Sequence, residues 1–517
     1  MIGSLQLRSA PAWRTVAAAV AAALCLAPVH AESDGETKTP IRHVIVIFDE
    51  NVSFDHYFGT YPHAQPNANG TTYFHAGQGT PSANTLESSG LLTNNPNGID
   101  PFRIDRSVPV TCDQDHTYSD EQAMEHGGLV DNFLKYSCTD KTLGKPSTFG
   151  YYDGNTITAL WNYAQHYAMS DNMFGTSYGP STPGLLNLVA GTTFEASVTN
   201  GLSPAGNIAN GRALGATTGA VIGDPDPDGD VCSNPNRTQI TMSGRNIGDL
   251  LNDAGLTWGS FMGGFDNCAA SHANISGASA GLDYIPHHAF FQYWHSTLNA
   301  RHLPPSSDAM IGRTDQANHQ YDLSRLFTAI AQHNLPAVSF VKAAAYRDGH
   351  GGYSDPLDEQ AFLVHTINAV QQSEFWNDTA IIVMYDDSDG WYDHVMPPVV
   401  FQSSVADDQL LGAGNCGSPR ANDVAGGAQN GRCGYGPRQP FLVISPFAKS
   451  NYVDHTIIDQ ASVIRFIEDN WSLPRIGNGS ADAVAGSIEG MFRFHGEERA
   501  PRIILDETTG VVVHAVE

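Results

Sequence analysis

Two apolar runs of the chain end in side chains that could bind a metal. The run VIVIF is followed by Asp49, Glu50 and Asn51, and the run AIIVMY is followed by Asp386 and Asp387. Oxygen donors of this kind suit a divalent cation, and carboxylates gathered in one place repel one another unless a cation or protons lie between them. The same acids could instead be turn formers with no common partner, so the pattern by itself leaves both interpretations open.

A hydroxyl nucleophile is offered by the segment GPSTPG, residues 179–184, which precedes an apolar run. Serine, threonine and proline in this order predict a helix start, where backbone N–H groups and the helix dipole attract an anion such as a phosphoryl group. Ser181 or Thr182 would then be placed to attack that group. Ordinary helix capping explains the same residues equally well.

Histidines in loop-type sequence form the third group. His116 follows two aspartates in CDQDHTY, His287 and His288 adjoin in IPHHAFF, His350 lies in DGHGGYSD and His394 lies in WYDHV. Imidazoles bind phosphoryl oxygens as cations below about pH 6.5, or protonate a leaving oxygen as general acids. Any one of the 21 histidines could equally be an ordinary surface or core side chain.

The elements that must position these groups alternate between strand-like and helix-like segments. This alternation predicts an α/β fold with a mixed, mostly parallel sheet flanked by helices and interrupted by long loop insertions. Ligands collect outside the carboxyl ends of such strands, where the acids lie. The predicted strands are 42–48, 257–262, 337–342, 380–385 and 441–445. The predicted helices are 159–168, 247–254, 321–333, 359–373 and 460–471.

The charge of the chain restricts its partners. It has 26 Lys and Arg against 54 Asp and Glu, a formal net charge of −28. Nucleic-acid binding by broad phosphate neutralisation needs a clustered basic face, so no nucleic-acid partner is expected. An anionic substrate must instead be attracted locally, by a cation or by histidines.

The first residues predict export. Arg8 and Arg14 precede the apolar run 16–28, and Val29 and Ala31 are small residues at the positions that a signal peptidase reads. We expect a signal peptide over 1–31 and one catalytic domain with insertions over 32–517, located in the periplasm or outside the cell. The alternative is an uncleaved anchor, but the run is shorter than the roughly 20 residues that span a bilayer, so no stable membrane insertion is expected.

Six cysteines follow the predicted signal peptide, and an even count in an exported chain predicts disulfides. Pairing of neighbours would join Cys112 to Cys138, Cys232 to Cys268 and Cys416 to Cys433. Six cysteines allow 15 connectivities, so other pairings stay open.

Several segments together carry a family resemblance. They are IRHVIVIFDENVSFDHYFGTYP, DQDHTYSDEQAMEHGGLVDNF, DNMFGTSYGPSTPGLLNLVAG, YIPHHAFFQYW, DGHGGYSD, IIVMYDDSDGWYDHV and GYGPRQPFLVISPFAKSNYVDH. In this order, over about residues 41–470, the chain resembles the bacterial phosphoesterase family of secreted acid phosphatases and phosphatidylcholine-type phospholipases C. The resemblance implies an alkaline-phosphatase-like core, small phosphorylated substrates and one divalent metal ion, which could be Ca²⁺, Mg²⁺, Mn²⁺ or Zn²⁺.

The resemblance also implies roles for individual residues. The metal ligands fall on Glu50, Asn51, Asp386 and Asp387. The nucleophile falls on Ser181, with Thr182 as its variable neighbour. Phosphate-pocket and general-acid positions fall on His116, His288 and His350, with His287 and Asn51 as further substrate contacts. Asp393 and His394 are weaker matches.

Departures from the family pattern bear on the substrate. Asp49 and Val52 replace the Gln and Arg common in the phospholipases, and Gly184-Leu185 replace an Asn-Arg pair. These differences resemble the acid phosphatase branch, so we expect hydrolysis of phosphomonoesters through a phosphoseryl intermediate, fastest at acidic pH. The alternatives are a phospholipase C that cleaves phosphatidylcholine and a secreted cation-binding protein without catalysis.

Overall fold

The computed structural model describes residues 1, 3, 35–209, 218–279, 281–417 and 431–516. Apart from residues 1 and 3, the predicted signal peptide lies outside the described residues, and residues 34–517 group into one compact unit. Within the described part of the chain, none of the helices has the length and apolar character needed to cross a membrane.

An eight-stranded sheet lies at the centre of this unit, with the strand order β4-β3-β5-β1-β6-β7-β2-β8. Strand β7 is antiparallel to both of its neighbours, and every other pairing in the sheet is parallel. The predicted mixed, mostly parallel α/β sheet is therefore confirmed. The strands are β1 His43–Asp49, β2 Ala168–Ser170, β3 Trp258–Met262, β4 Gln320–Asp322, β5 Val338–Lys342, β6 Thr379–Tyr385, β7 Phe441–Ile444 and β8 Tyr452–Asp454.

Helices flank the sheet, and its central strands are buried over their whole length. Burial on both faces explains why these strands are continuous apolar runs rather than alternating ones. The helices are α1 Phe54–Phe58, α2 Tyr118–Glu125, α3 Thr158–His166, α4 Ser181–Ala190, α5 Ile247–Asp253, α6 Ser324–Ala331, α7 Pro356–Gln371 and α8 Ala461–Trp471.

One predicted helix, 321–333, starts too early. Residues 320–322 form β4, which pairs with residues 260–262 of β3, and the helix begins only at Ser324. Without these three residues the outer edge of β3 would have unpaired backbone groups. Pairing with that edge outweighs the helical pattern of the three residues. The other predicted strands and helices are present with shifts of one to three residues at their ends.

The register of the sheet sets the place of the candidate site. Asp49 at the end of β1 pairs with Tyr385 at the end of β6, so the two segments that follow leave the sheet side by side. Strand β5 pairs with the other side of β1 and ends at Lys342. Three strand ends therefore deliver polar side chains to one edge.

Disulfides close three loops of the fold. Cys112 is bonded to Cys138, Cys232 to Cys268 and Cys416 to Cys433. The pairing of neighbouring cysteines is confirmed. Such bonds are typical of proteins that fold in an oxidising environment outside the cytosol.

Candidate active site

Oxygen atoms from the ends of β1 and β6 converge in the interior. Glu50, Asn51 and Asp386 are each at most 1% exposed, and the backbone N–H of Asn51 donates to Asp386 Oδ1 at 3.1 Å. Asn51 has a φ of 53°, in the left-handed region, where asparagine is tolerated better than most residues. This turn holds its side chain against the two carboxylates.

The amide of Asn51 can face these carboxylates in two ways. Turned one way, it donates to Glu50 Oε2 at 2.6 Å and Asp386 Oδ1 at 2.8 Å and accepts from His350 Nε2 at 3.0 Å. Turned the other way, its oxygen meets both carboxylates and its amino group faces His350. The second orientation suits a bound cation, because it presents the amide oxygen, a possible cation ligand, on the side of the carboxylates. Nδ1 of His350 lies 2.5 Å from the Gly351 carbonyl oxygen.

The loop after β6 adds further carboxylates. The backbone N–H of Asp387 donates to Asp386 Oδ1 at 2.8 Å, and the N–H of Asp389 donates to Asp387 Oδ1 at 2.6 Å. Asp387 Oδ2 is buried without a hydrogen-bond partner. A buried carboxylate oxygen without a donor is costly, and a cation would satisfy it.

The pKa values express the same excess of negative charge. Burial and the neighbouring Glu50 raise the pKa of Asp386 to about 7, and burial together with Asp386 raises the pKa of Asp387 well above its usual range. Burial alone would raise the pKa of Glu50, but Lys342 brings it below its usual value. These hard oxygen donors and their mutual repulsion fit a divalent cation held by Glu50, Asn51, Asp386 and Asp387.

Ser181 lies directly beside this cluster. It is the first residue of α4, and its Oγ donates to Glu50 Oε2 at 3.0 Å. The hydroxyl makes no capping bond, so the capping interpretation of the segment does not hold for Ser181. Gly184 permits this closeness, because a Cβ at that position would lie 2.3 Å from the Asp386 carbonyl oxygen.

Thr182 points elsewhere. Its Oγ1 donates to the His287 carbonyl at 3.2 Å, and its backbone N–H donates to Asp224 Oδ1 at 2.9 Å. The contacts of Ser181 and Thr182 therefore distinguish the two candidate nucleophiles in favour of Ser181. Asp224 thus accepts from one N–H at the helix start, and stabilisation of a phosphoryl oxygen by the N–H groups of this segment stays a prediction.

The adjoining histidines differ in their surroundings. His288 is buried, with Nδ1 3.0 Å from Glu50 Oε1, and burial followed by the neighbouring His287 lowers its pKa well below the ordinary value. His287 has its Nδ1 3.7 Å from Asp226 Oδ1 and packs edge-on against the His288 ring. His288 therefore contacts Glu50, whereas the ring of His287 lies near Asp226.

His116 and His350 form a second histidine pair, with ring centroids 5.9 Å apart. His116 Nδ1 lies 3.1 Å from Asp389 Oδ1 and 3.0 Å from the Gln114 carbonyl oxygen. Burial would lower the pKa of His116, but the carboxylates of Asp387 and Asp389 hold it well above its usual value. The structure brings this pair next to Asn51 through His350.

Several residues of the site were not found from the sequence. Lys342 makes an ion pair with Glu50, and its Nζ lies 4.0 Å from Asp386 Oδ2. Glu121 accepts from the Gly179 N–H at 2.9 Å and from Ser388 Oγ at 2.7 Å, tying the Ser181 segment to the loop after β6. Lys342 could have been found from the predicted strand 337–342, because the carboxyl end of that strand lies at the same edge of the sheet as the acids.

Asp393 and His394, the weaker family matches, lie in a different group. His394 Nδ1 is 2.6 Å from Asp55 Oδ2, and Asp393 accepts from Arg438 Nε at 3.1 Å. Among the described residues, neither makes a hydrogen bond or ion pair to Ser181 or Glu50.

A cavity adjoins the start of α4, and a second cavity lies next to the first. One of about 350 Å³ is lined by His116, Pro180 and Asp224, among others, and one of about 440 Å³ shares Asp224 and Arg237 with it. Polar and apolar surface occur in similar amounts in both linings, and none of the described lining residues is Phe, Tyr or Trp. Residues 202–207 and 222–238 supply much of this lining.

The fold and site together define an α/β protein with a serine hydroxyl beside a cluster of metal-type oxygen ligands at the carboxyl edge of its sheet. Residues 41–474 match the model of the Phosphoesterase family, and the chain belongs to that family.

Two bacterial phospholipases C are similar over most of this chain. The non-hemolytic phospholipase C of Pseudomonas aeruginosa is 27% identical over 91% of the chain, and phospholipase C B of Mycobacterium tuberculosis is 24% identical over 88%. The aligned regions span 59% and 78% of the lengths of these relatives.

Comparison with solved structures gives matches at low TM-scores. The phosphonate monoester hydrolase of Agrobacterium radiobacter is 10% identical at a TM-score of 0.34, covering 91% of this chain and 82% of that one. A protein in the alkaline phosphatase superfamily from Vibrio parahaemolyticus is 13% identical at a TM-score of 0.27, covering 68% and 67%.

Proposed function

We propose that this protein is an exported acid phosphatase that hydrolyses phosphomonoesters, with Ser181 as the nucleophile. The observation that carries the proposal is the 3.0 Å hydrogen bond from Ser181 Oγ to Glu50 Oε2 within the oxygen cluster. Family membership supports phosphoester chemistry, and the three disulfides support an exported location, periplasmic or extracellular.

Glu50, Asn51, Asp386 and Asp387 would hold one divalent cation. When bound, such a cation lowers the pKa of a nearby hydroxyl and neutralises charge on a transferring phosphoryl group. Glu50 Oε2 orients the Ser181 hydroxyl and would take up its proton. The Ser181 oxygen would attack phosphorus as the P–O bond to the leaving alcohol breaks, and a histidine would protonate that alcohol. Water would then cleave the phosphoseryl group to release phosphate and restore the serine hydroxyl. The structure's own residues thus supply both the ligands and the nucleophile.

The histidines would handle the substrate's oxygens. His116 borders the 350 Å³ cavity, and His350 adjoins Asn51, so both can contact a phosphoryl group between Ser181 and the cavity. Either His350 or His288 would protonate the leaving oxygen as the general acid. Nδ1 of His288 lies 3.0 Å from Glu50 Oε1, and Nδ1 of His350 lies 2.5 Å from the Gly351 carbonyl oxygen. His287 would support His288 rather than contact the phosphoryl group.

Phospholipase C activity is the second candidate, favoured by the names of the curated relatives. Both cavities present polar and apolar surface in similar amounts, so their lining does not separate a small polar leaving group from diacylglycerol. The departures from the phospholipase motifs at Asp49, Val52 and Gly184-Leu185 support the phosphatase. A secreted cation-binding protein without catalysis would explain the carboxylates, but it gives the Ser181 hydroxyl no role.

The test is turnover of an aryl phosphomonoester against phosphatidylcholine vesicles at pH 5 to 6, with Ca²⁺, Mg²⁺, Mn²⁺ and Zn²⁺ supplied separately. Ser181→Ala should lower monoester turnover by at least about 10³-fold, equivalent to about 4 kcal/mol, with the fold intact by circular dichroism. Thr182→Val is the matched control and should stay within about tenfold of wild type. Preferential release of phosphocholine would favour the phospholipase, and turnover that survives in Ser181→Ala would overturn the assignment of the nucleophile.

A further inference from the structure

Lys342 is a buried cation that the catalytic proposal does not use. It is the last residue of β5 and is 1% exposed. Its Nζ pairs with Glu50 Oε1 and lies 4.0 Å from Asp386 Oδ2. A buried ammonium persists only with such partners, because removing a charge from water is costly.

Glu50 therefore has two faces. Its Oε2 accepts from Ser181 on the side of the candidate metal ligands, and its Oε1 meets Lys342 and, at 3.0 Å, His288 Nδ1 on the opposite side. Lys342 holds the carboxylate so that a single oxygen is left for a cation beside Ser181.

The place beside Lys342 is itself lined by metal-ligand atoms. Glu50, His288 and Asp348 present one ligand atom each, all within 4.8 Å of one another, and all three residues are buried. Two carboxylates and one imidazole suit a divalent ion such as Zn²⁺ or Mn²⁺. The ammonium of Lys342 lies on the Glu50 oxygen that such an ion would need.

We propose that the Lys342 ammonium takes the place of a second divalent cation behind Glu50, so that the site binds one ion and removal of the lysine creates a second site on Glu50, His288 and Asp348. The inference rests on the metal-binding part of the proposed function. Lys342 is then a positioning residue: it acts on the reaction through Glu50 and does not touch the substrate.

The test counts bound ions. Purified wild-type protein, Lys342→Ala and Lys342→Met are titrated with Mn²⁺ and with Zn²⁺, by calorimetry and by elemental analysis after desalting. We expect one ion per chain in wild type, two in Lys342→Ala, and one in Lys342→Met, whose side chain is neutral but still fills the space. A Lys342→Ala protein that still binds one ion overturns the inference. A wild type that binds two ions overturns the inference when Lys342→Ala also binds two, because removal of the lysine then adds no site.

A second variant gives an independent signature. Lys342→Cys places a soft ligand at the second position, so titration with Cd²⁺ should produce a thiolate charge-transfer band that wild type lacks. Absence of the band overturns the inference. Lys342→Ala should also gain thermal stability from these ions, and a Lys342→Ala protein that folds neither alone nor with them overturns the inference, because the ion is expected to replace the ammonium.

The outcome separates this inference from the proposed function. Wild type that binds no divalent ion refutes the metal-binding premise itself. Wild type that binds one ion and shows no phosphomonoester turnover refutes the proposed activity, while the ion count in Lys342→Ala still decides the role of Lys342.

Discussion

Two buried groups of charged side chains in this protein look alike in composition and differ in how they are satisfied. The strand-end cluster consists of Glu50, Asp386, Asp387 and Lys342, with three acids to one cation. The arginine cluster consists of Asp55, Asp393, His394 and Arg438, with two acids to two basic side chains.

The arginine cluster is fully hydrogen-bonded. Arg438 donates to Asp393 at 3.1 Å, to Asp55 at 3.3 Å and to the Asn84 and Asp171 carbonyls at 2.8 and 2.9 Å, and its guanidinium lies 4.2 Å from the centre of the Phe54 ring.

In the strand-end cluster, by contrast, an oxygen of Asp387 has no donor. Unsatisfied buried oxygens also occur elsewhere in the described chain, for example on Glu125, so this oxygen alone does not identify a ligand site. Together with the excess of acids at the strand ends, it supports the cation site that we propose there. The hydrogen bonds of the arginine cluster support a structural role for that cluster.

The largest expected effect is on the free energy of unfolding, which a substitution in the arginine cluster should lower and a substitution in the strand-end cluster should not. Arg438→Met should lower the free energy of unfolding by about 3–5 kcal/mol, because it leaves the buried Asp393 without its cationic partner and Asp55 with His394 alone. Asp387→Asn, measured without divalent ions, should leave that free energy unchanged or raise it, because it removes one of several repelling charges. Urea unfolding followed by circular dichroism measures both.

The matched control is an exposed ion pair. Arg245 Nη2 lies 2.5 Å from Asp253 Oδ2 with 41% of its side chain exposed, so Arg245→Met should change the free energy of unfolding by about 1 kcal/mol or less. Equal losses in Arg438→Met and Asp387→Asn would show that both clusters are structural.

The next effect in size concerns metal binding. A divalent ion at about 100 times its dissociation constant should stabilise wild type by about 2.7 kcal/mol, since the ion binds the folded state. A chelator should reverse the gain, measured as a shift in thermal unfolding. Asp387→Asn should lose most of the gain. Arg438→Met should keep it despite its lower starting stability, and loss of the gain in Arg438→Met would mean that the two clusters are not independent.

The sequence predicts the residues of the strand-end cluster only where they follow a long apolar strand. Glu50 and Asp386 follow long apolar strands, and the rule that parallel strands present their carboxyl ends at one edge was enough to bring them together. Lys342 also ends an apolar strand. In the sequence it looks like an exposed residue that only marks the end of the strand, because a lone lysine is ordinarily exposed. The three-residue strands β2 and β8 are too short to show a period, and only pairing in the sheet defines them.

Family resemblance reaches further than the strand pattern but shares its limits. It selected His116 and His350, which the structure places together. It also offered Asp393 and His394, whose sequence context resembles that of active-site residues, although their partners Asp55 and Arg438 come from distant parts of the chain. Whether a buried charged side chain has an ion-pair partner depends on residues far away in the chain. The sequence alone does not show which of these residues are in contact.

The smallest expected effect is a pH dependence confined to the arginine cluster. Burial would lower the pKa of His394, but Asp55 raises it above the ordinary value of 6.5, while Arg438 opposes and Asp393 favours the charged ring. Because the folded state holds this proton more tightly, the stabilisation is complete below about pH 6.5 and is lost as the pH rises through the raised pKa. One proton gives a slope of at most about 1.4 kcal/mol per pH unit.

His394→Asn isolates this contribution, because an amide can keep the hydrogen bond to Asp55 without taking up a proton. Urea unfolding of wild type and His394→Asn between pH 5 and 9 should show a stability difference that is largest at the acidic end and shrinks as the pH rises. His365→Asn, which alters an exposed pair with Glu507, should show no such trend because solvent screens that pair. A stability difference for His394→Asn that grows with pH would mean that the cluster binds the ring in its neutral form, and the arginine cluster would then hold one cation rather than two.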